Sequence, residues 1–316
     1  MSAHATHEPA ARKPSVASTY VWLATVPLTW GFNFVALKIL YKGYHFTVPG
    51  LLTARYVLMV PMLLGLQLLA ERNLHIRREH WRHLIIFSFV TVGVYQYLFA
   101  KAIEWTSAGE SALLISSAPI FTFLITTLLG HEKFSKMGLA GVIFGFAGIS
   151  LVIFGGNGSA SIPETHIKGD LVMIAAAILW ASYAIFSRPL LKHYSALKVT
   201  TWAHTLGALM IIPIGFTQFA RTDWMHLAPM GWACTLYFAW LAGVYGFVVW
   251  YRGVRVIGSS KTMLFQYLVP PVALIVGYFG PHLSSALKSE APSLLQSLGV
   301  IITLSGVYIA SNAKRG

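Results

Sequence analysis

Apolar residues in this chain run for about 20 positions at a time, the length of helix that crosses a hydrocarbon core, and polar residues gather in the short gaps between. Ten stretches have that character: 19–39, 50–70, 82–104, 108–129, 136–155, 169–189, 196–217, 229–251, 259–280 and 291–312. The pattern predicts an all-α polytopic membrane protein. Residues 1–18 read as a polar tail and 313–316 as a second tail. The first apolar run is too long for a signal-peptide core and has no clear small-residue cleavage site, so it is expected to stay as an uncleaved helix.

The apolar pattern also repeats. WTSAGESALLISSAP (105–119) and VIGSSKTMLFQYLVP (256–270) each pass from an apolar lead through Ser and Gly, one charge and an apolar run to proline. Trp30 and Trp180 occupy spans one and six, Tyr95 and Tyr245 spans three and eight, each pair 150 positions apart. GVIFGFAG (141–148) lies over GVIITLSG (299–306) in spans five and ten. The longest gap, 156–168, falls between the fifth and sixth spans and reads as a linker between repeats at 19–155 and 169–312. Five is odd, so the second repeat enters the membrane from the opposite face, giving an inverted duplication.

Charge fixes the orientation. Of 23 Lys and Arg residues, this arrangement places sixteen on one face and six on the other, with Arg55 inside the second span. Such a bias puts both termini in the cytoplasm. Arg55 either snorkels to the surface, braces carbonyls or captures a carboxylate.

Composition agrees with lipid as the solvent. The chain is 56% hydrophobic and 10% charged over 316 residues, against about 25% charged in a typical soluble domain, and mean hydropathy is +0.65. The net charge of +13 is spread in small clusters rather than gathered on a groove, which argues against nucleic acid as a partner. The single cysteine, Cys234, excludes an intrachain disulfide and reads as a small buried hydrophobe. There is no nucleophile elbow, Walker sequence, HExxH or paired intramembrane aspartate, so an enzyme is not expected. His75, His80 and His83 lie in or beside a basic loop and read as surface residues. Neither cofactor nor metal is predicted.

AIEWTSAGESALLISSAPIFTFLITTLLGHEKFS (102–135), TWGFNFV (29–35) and LLTARYVLMVP (51–61) together resemble the EamA-type transporters of the drug/metabolite transporter superfamily. Gly130 and Glu132 match the end of the family's fourth helix, whereas the second repeat has Pro281 and Leu283 there. The resemblance spans nearly all of the chain after residue 18. It implies ten helices in two inverted repeats and export of small metabolites across the inner (plasma) membrane. Aromatic abundance adds a likeness to the family's aromatic amino-acid exporters, and a monomer is expected.

Substrate in such transporters sits near the bilayer midplane where the repeats meet. The candidates there are Trp30, Asn33, Tyr95, Gln96, Trp180, Tyr183, His204, Trp240, Tyr245 and Gln266. Aromatic plates with polar tips suit a flat organic solute, and polar groups deep in a span are costly unless used. Pro119 and Pro270 are the expected kink or gating positions. All ten acids, among them Glu104, Glu110, Glu132 and Asp170, read as tail, loop or span-end residues, so a carboxylate proton relay is not expected; His204 is the protonatable fallback. The competing readings are a sugar-phosphate or nucleotide-sugar translocator and a non-transporting receptor or enzyme.

Overall fold

The computed structural model describes residues 15–130, 135–155, 164–285, 287 and 293–312, and every regular element among them is helical. Seven helices are long and apolar enough to cross a membrane. They are α1 (Val16–Gly43), α2 (Val48–Glu71), α3 (Arg78–Trp105), α4 (Ala108–Leu128), α6 (Thr165–His193), α7 (Ala196–Arg221) and α8 (Pro229–Ile257). Between and after them come α5 (Lys136–Gly155), α9 and α10 (Leu294–Asn312). Helix α9 is assembled from an α-turn Ser259–Met263, a 3₁₀ stretch Leu264–Leu268 and an α-helix Val269–Tyr278, so no single piece is span-length.

Local chemistry explains the helix starts. Ser15, Thr47, Ser107 and Ser195 each accept a hydrogen bond from a first-turn amide, satisfying donors the helix itself cannot. At α4 the cap is reciprocal: Ser107 accepts from the Glu110 amide and the Glu110 carboxylate accepts from the Ser107 amide. Helix α2 ends on Arg72 in the left-handed region, φ 49°.

Several helices depart from α geometry in matching places. Helix α3 carries a π-stretch at Phe89–Val94 and α8 one at Tyr237–Tyr245. Helix α4 breaks at Ser116–Ser117 and resumes at Ala118, with Pro119 in the first turn, where its missing N–H costs nothing. Helix α9 breaks through its 3₁₀ stretch and resumes at Val269, again with proline in the first turn. The two prolines expected to kink continuous spans therefore start new helical segments after interruptions. The spans predicted at 108–129 and 259–280 are discontinuous. Ser116 links the breaks, its hydroxyl donating to Ala112 O (2.8 Å) and to Gln266 O (3.4 Å).

The packing partners show the same correspondence. Helix α1 packs on α8 and α9, and α6 packs on α3 and α4; α2 pairs with α7, and α5 with α10. The α5–α10 pair is held close by glycine. A Cβ on Gly306 would lie 2.4 Å from Gly145 N, and one on Gly148 would lie 2.4 Å from Thr303 N. Small residues at such crossings let backbones approach where lipid gives no hydrophobic drive to associate. Large apolar side chains such as Leu69, Leu128, Leu209 and Ile214 remain exposed around the outside, as a lipid-facing surface requires.

Helix α6 has begun by Thr165, within the segment 156–168 read as a linker. Residues 156–163 and Glu132 lie outside the described residues. Glu110 and Asp170, read as span-end residues, lie near the starts of α4 and α6 and are buried there; the Thr106 hydroxyl lies 2.7 Å from Glu110 Oε2 and 2.8 Å from Asp170 Oδ1, and Gln296 donates to Glu110 Oε1 at 2.7 Å. This polar cluster ties α4 to α6 and α10. Lys38, one of the six cations counted on the second face, is buried at the end of the α-helical part of α1, just before a π-stretch at Ile39–Gly43.

Candidate functional site

Where α1, α2, α3, α4, α6, α8 and α9 converge they leave a small cavity of about 40 Å³, well below the size of a pocket open to a ligand. Its walls are aromatic. Trp30 meets Trp180 edge to face, with ring centroids 5.4 Å apart, and Trp180 stacks on Tyr95 at 5.3 Å. Phe34, Phe99 and Phe247 complete the rings.

The walls are held from behind. Trp30 Nε1 donates to Ala242 O (3.0 Å), a carbonyl inside the α8 π-stretch. Gly246 follows that stretch, and a Cβ there would lie 2.4 Å from Trp30 Nε1. Trp180 is backed by Tyr183 (4.7 Å) and Trp250 (5.5 Å), and Tyr183 stacks on Tyr251 at 4.8 Å. Each ring is thereby fixed in orientation before any solute arrives.

One charge enters this aromatic chamber. Arg55 is 2% exposed, donates from Nη1 to Gln96 Oε1 (2.7 Å), and lies 4.2 Å above the Phe238 ring and 5.7 Å from that of Phe247. Its Nε has no acceptor, and no carboxylate among the described residues pairs with it. A buried cation is costly unless paired, and here only a neutral amide and ring faces compensate it. The snorkelling alternative is thereby excluded: Arg55 sits two turns into α2 on its buried face.

Trp30, Asn33, Tyr95, Gln96, Trp180 and Gln266 all line the cavity. Tyr183 lies one layer back, behind Trp180. His204 is fully buried behind Phe247, their ring centroids 4.6 Å apart, with Tyr56 at 6.1 Å on its other side and no partner on either ring nitrogen. Trp240 and Tyr245 are not among the residues lining this cavity. Trp240 is 38% exposed and donates to Leu58 O (3.2 Å), whereas Tyr245 bonds the Thr25 hydroxyl and meets Trp22 edge-on at 6.4 Å.

Both lie within the π-stretch itself. Hydrogen bonds from i to i+5 insert extra residues into a turn, so faces counted at 3.6 residues per turn are wrong inside the stretch as well as after it. The first α-helical residue after the π-stretch is Tyr95 in α3 and Gly246 in α8. The partner of Tyr95 is thus Gly246, and Gln96 corresponds to Phe247. Arg55 and Phe247 are the important lining residues that the candidate set lacked. The sign of Arg55 was in the sequence, as the one Lys or Arg placed within a span.

The model of the EamA-like transporter family matches residues 17–154 and again 167–312. An uncharacterized transporter of Archaeoglobus fulgidus is 28% identical over 93% of this chain and 98% of its own length. A probable terminal-alkyne amino-acid exporter of Streptantibioticus cattleyicolor is 26% identical over 95% of each chain. A probable amino-acid metabolite efflux pump of Salmonella typhimurium is 22% identical over 90% of this chain and 91% of its own. One solved crystal structure superposes with a TM-score of 0.63 at 18% identity, covering 94% of this chain and 97% of that one, which extends the likeness to the fold. With the family model matched twice along a chain of apolar, lipid-facing helices, the protein is a multi-pass membrane transporter, not an enzyme, and belongs to the EamA-like family.

Proposed function

We propose that this transporter exports amphipathic amino acids with aromatic or large apolar side chains, by alternating access through the cavity between its two repeats. The carrying observation is Arg55, a buried cation with no protein carboxylate, opening on a chamber of Trp and Phe rings. Arg presents donors in a fork that matches a carboxylate, and the packed rings give an apolar wall against which a substrate side chain can lie. A relative named as an exporter of alkyne amino acids supports the same class.

The architecture proposed is ten spans in two inverted halves of five, with both termini cytoplasmic. Its supports are the pairing of α1–α8 with α6–α3 and of α1–α9 with α6–α4, the matching breaks in α4 and α9, and the uneven Lys/Arg distribution. No Asp or Glu lines the cavity, and transport is proposed to run down the substrate gradient without a carboxylate relay. A sugar phosphate is less well served, since one guanidinium leaves a dianion half neutralised.

The test is counterflow of labelled L-phenylalanine or L-tryptophan in proteoliposomes, with and without a pH gradient. Wild-type protein is expected to move both, independently of the gradient. Arg55→Leu should lower transport about 10- to 100-fold, the range for losing a hydrogen bond to a charged group. Counterflow unchanged by that substitution in a well-folded variant would overturn the reading, and strict dependence on the gradient would overturn the uncoupled mechanism.

A further inference from the structure

We infer that the cavity reads both charges of its substrate, with Asn33 and Gln266 holding the α-ammonium group while Arg55 holds the carboxylate. The inference rests on the proposed amino-acid transport and adds a requirement for a free amine.

The argument starts from four buried polar atoms that the protein leaves unused on residues lining one cavity. Arg55 Nε and Trp180 Nε1 are donors without acceptors; Asn33 Oδ1 and Gln266 Oε1 are acceptors without donors. Asn33 is 5% exposed and Gln266 3%, so bulk water does not serve them. A buried polar group left unpaired forfeits its hydration, and native interiors rarely tolerate it without a role. The third amide of the lining behaves differently: Gln96 Oε1 is occupied by Arg55. The two amide oxygens left over are on the helices opposite the cation. Asn33 is on α1, and Gln266 is on the 3₁₀ stretch of α9, which packs against α1.

That division of charge is what a zwitterion asks for. An ammonium group has three donors and no acceptor, and it avoids a guanidinium. Two neutral carbonyl oxygens provide acceptors for it without a buried carboxylate. The interruption in α9 belongs to this arrangement. Through it, Gln266 O accepts from Ser116 at the break in α4, so the backbone bearing the amide is braced against the other repeat. A simple acid would satisfy Arg55 and leave both amide oxygens bare, and an N-acylated amino acid would bring one donor and added bulk. Sites built around a hydrogen-bonding group reject analogues that lack it far better than they reject a changed methylene count.

The experiment is counterflow of labelled L-phenylalanine in proteoliposomes, challenged with equal concentrations of 3-phenylpropionate, N-acetyl-L-phenylalanine, phenethylamine and unlabelled L-phenylalanine. Only the intact amino acid should compete well; the three analogues should need at least about 10-fold more for the same inhibition, as a lost charged hydrogen bond implies. Asn33→Leu and Gln266→Leu should narrow the gap between phenylalanine and 3-phenylpropionate by a similar factor, while leaving the apparent affinity for 3-phenylpropionate unchanged or improved. Competition by 3-phenylpropionate or the N-acetyl compound equal to that of phenylalanine overturns the ammonium site even where the variants do not fold, because that arm needs only wild-type protein. Such a result leaves the transport reading standing, whereas failure of phenylalanine itself to move would remove that reading.

Discussion

At the residue scale, the ring system makes separable predictions. Trp30→Phe keeps an aromatic plate but loses the bond from Nε1 to Ala242 O. The loss of one neutral hydrogen bond is worth about 0.5–1.5 kcal/mol, so KM is expected to rise about 2- to 10-fold. Trp240→Ala, outside the cavity, should leave KM at the wild-type value; the same counterflow measurement checks both, and equal shifts would count against the assigned walls. Gly246 is constrained by contact rather than by φ. Because a methyl there collides with Trp30 at 2.4 Å, Gly246→Ala should cost about 1–3 kcal/mol as overpacking does. A fall in thermal midpoint in detergent is the expected readout.

At the scale of the element, irregular helices do what straight ones cannot. A continuous helix through Ser116 or through Leu264–Leu268 would satisfy its own carbonyls and leave none for a partner. The breaks instead bring Gln266 O to the Ser116 hydroxyl, and each is followed by proline in the first turn of the next segment. Proline there discourages the two segments from fusing, since it has no N–H to donate back across the break and its ring crowds the carbonyl four residues earlier. Pro119→Ala and Pro270→Ala are therefore expected to slow turnover more than they alter KM, as a joint that stiffens would; kcat and KM measured separately decide it. The α5–α10 crossing sets the opposite demand. Gly306→Leu would force side-chain atoms into Gly145 backbone at a site already within 2.4 Å of a Cβ, and loss of the folded, monodisperse protein on size-exclusion chromatography is the expected outcome.

At the scale of the whole molecule, the two repeats share a frame but divide the labour. In the first repeat α1, α2 and α3 supply Asn33, Arg55 and Gln96; in the second, Tyr183 stands 150 positions after Asn33, and Phe247 occupies the place of Gln96. The polar lining comes from the first repeat, with Gln266 the exception, while both repeats supply aromatic wall, Trp30, Phe34, Tyr95 and Phe99 from the first and Trp180 and Phe247 from the second. Reporter tags at either end should register in the cytoplasm, and an external signal from one of them would break the proposed inversion. The sequence by itself determined the solvent, the helical class, the family likeness and the internal repeat, because those depend on runs of about 20 apolar residues and on short local motifs that survive without a structure. It also put forward six of the residues that meet at the cavity, since polar and aromatic side chains near the middle of a span are few. What only the tertiary structure decided was which face each residue occupies in and after a π-stretch, where Trp240 and Tyr245 turn away and Phe247 turns in, and how deep Arg55 lies. The physical reason is that one inserted residue in a helical turn rotates everything after it, and whether a guanidinium reaches the surface or a cavity depends on the neighbouring helices, which no local pattern encodes.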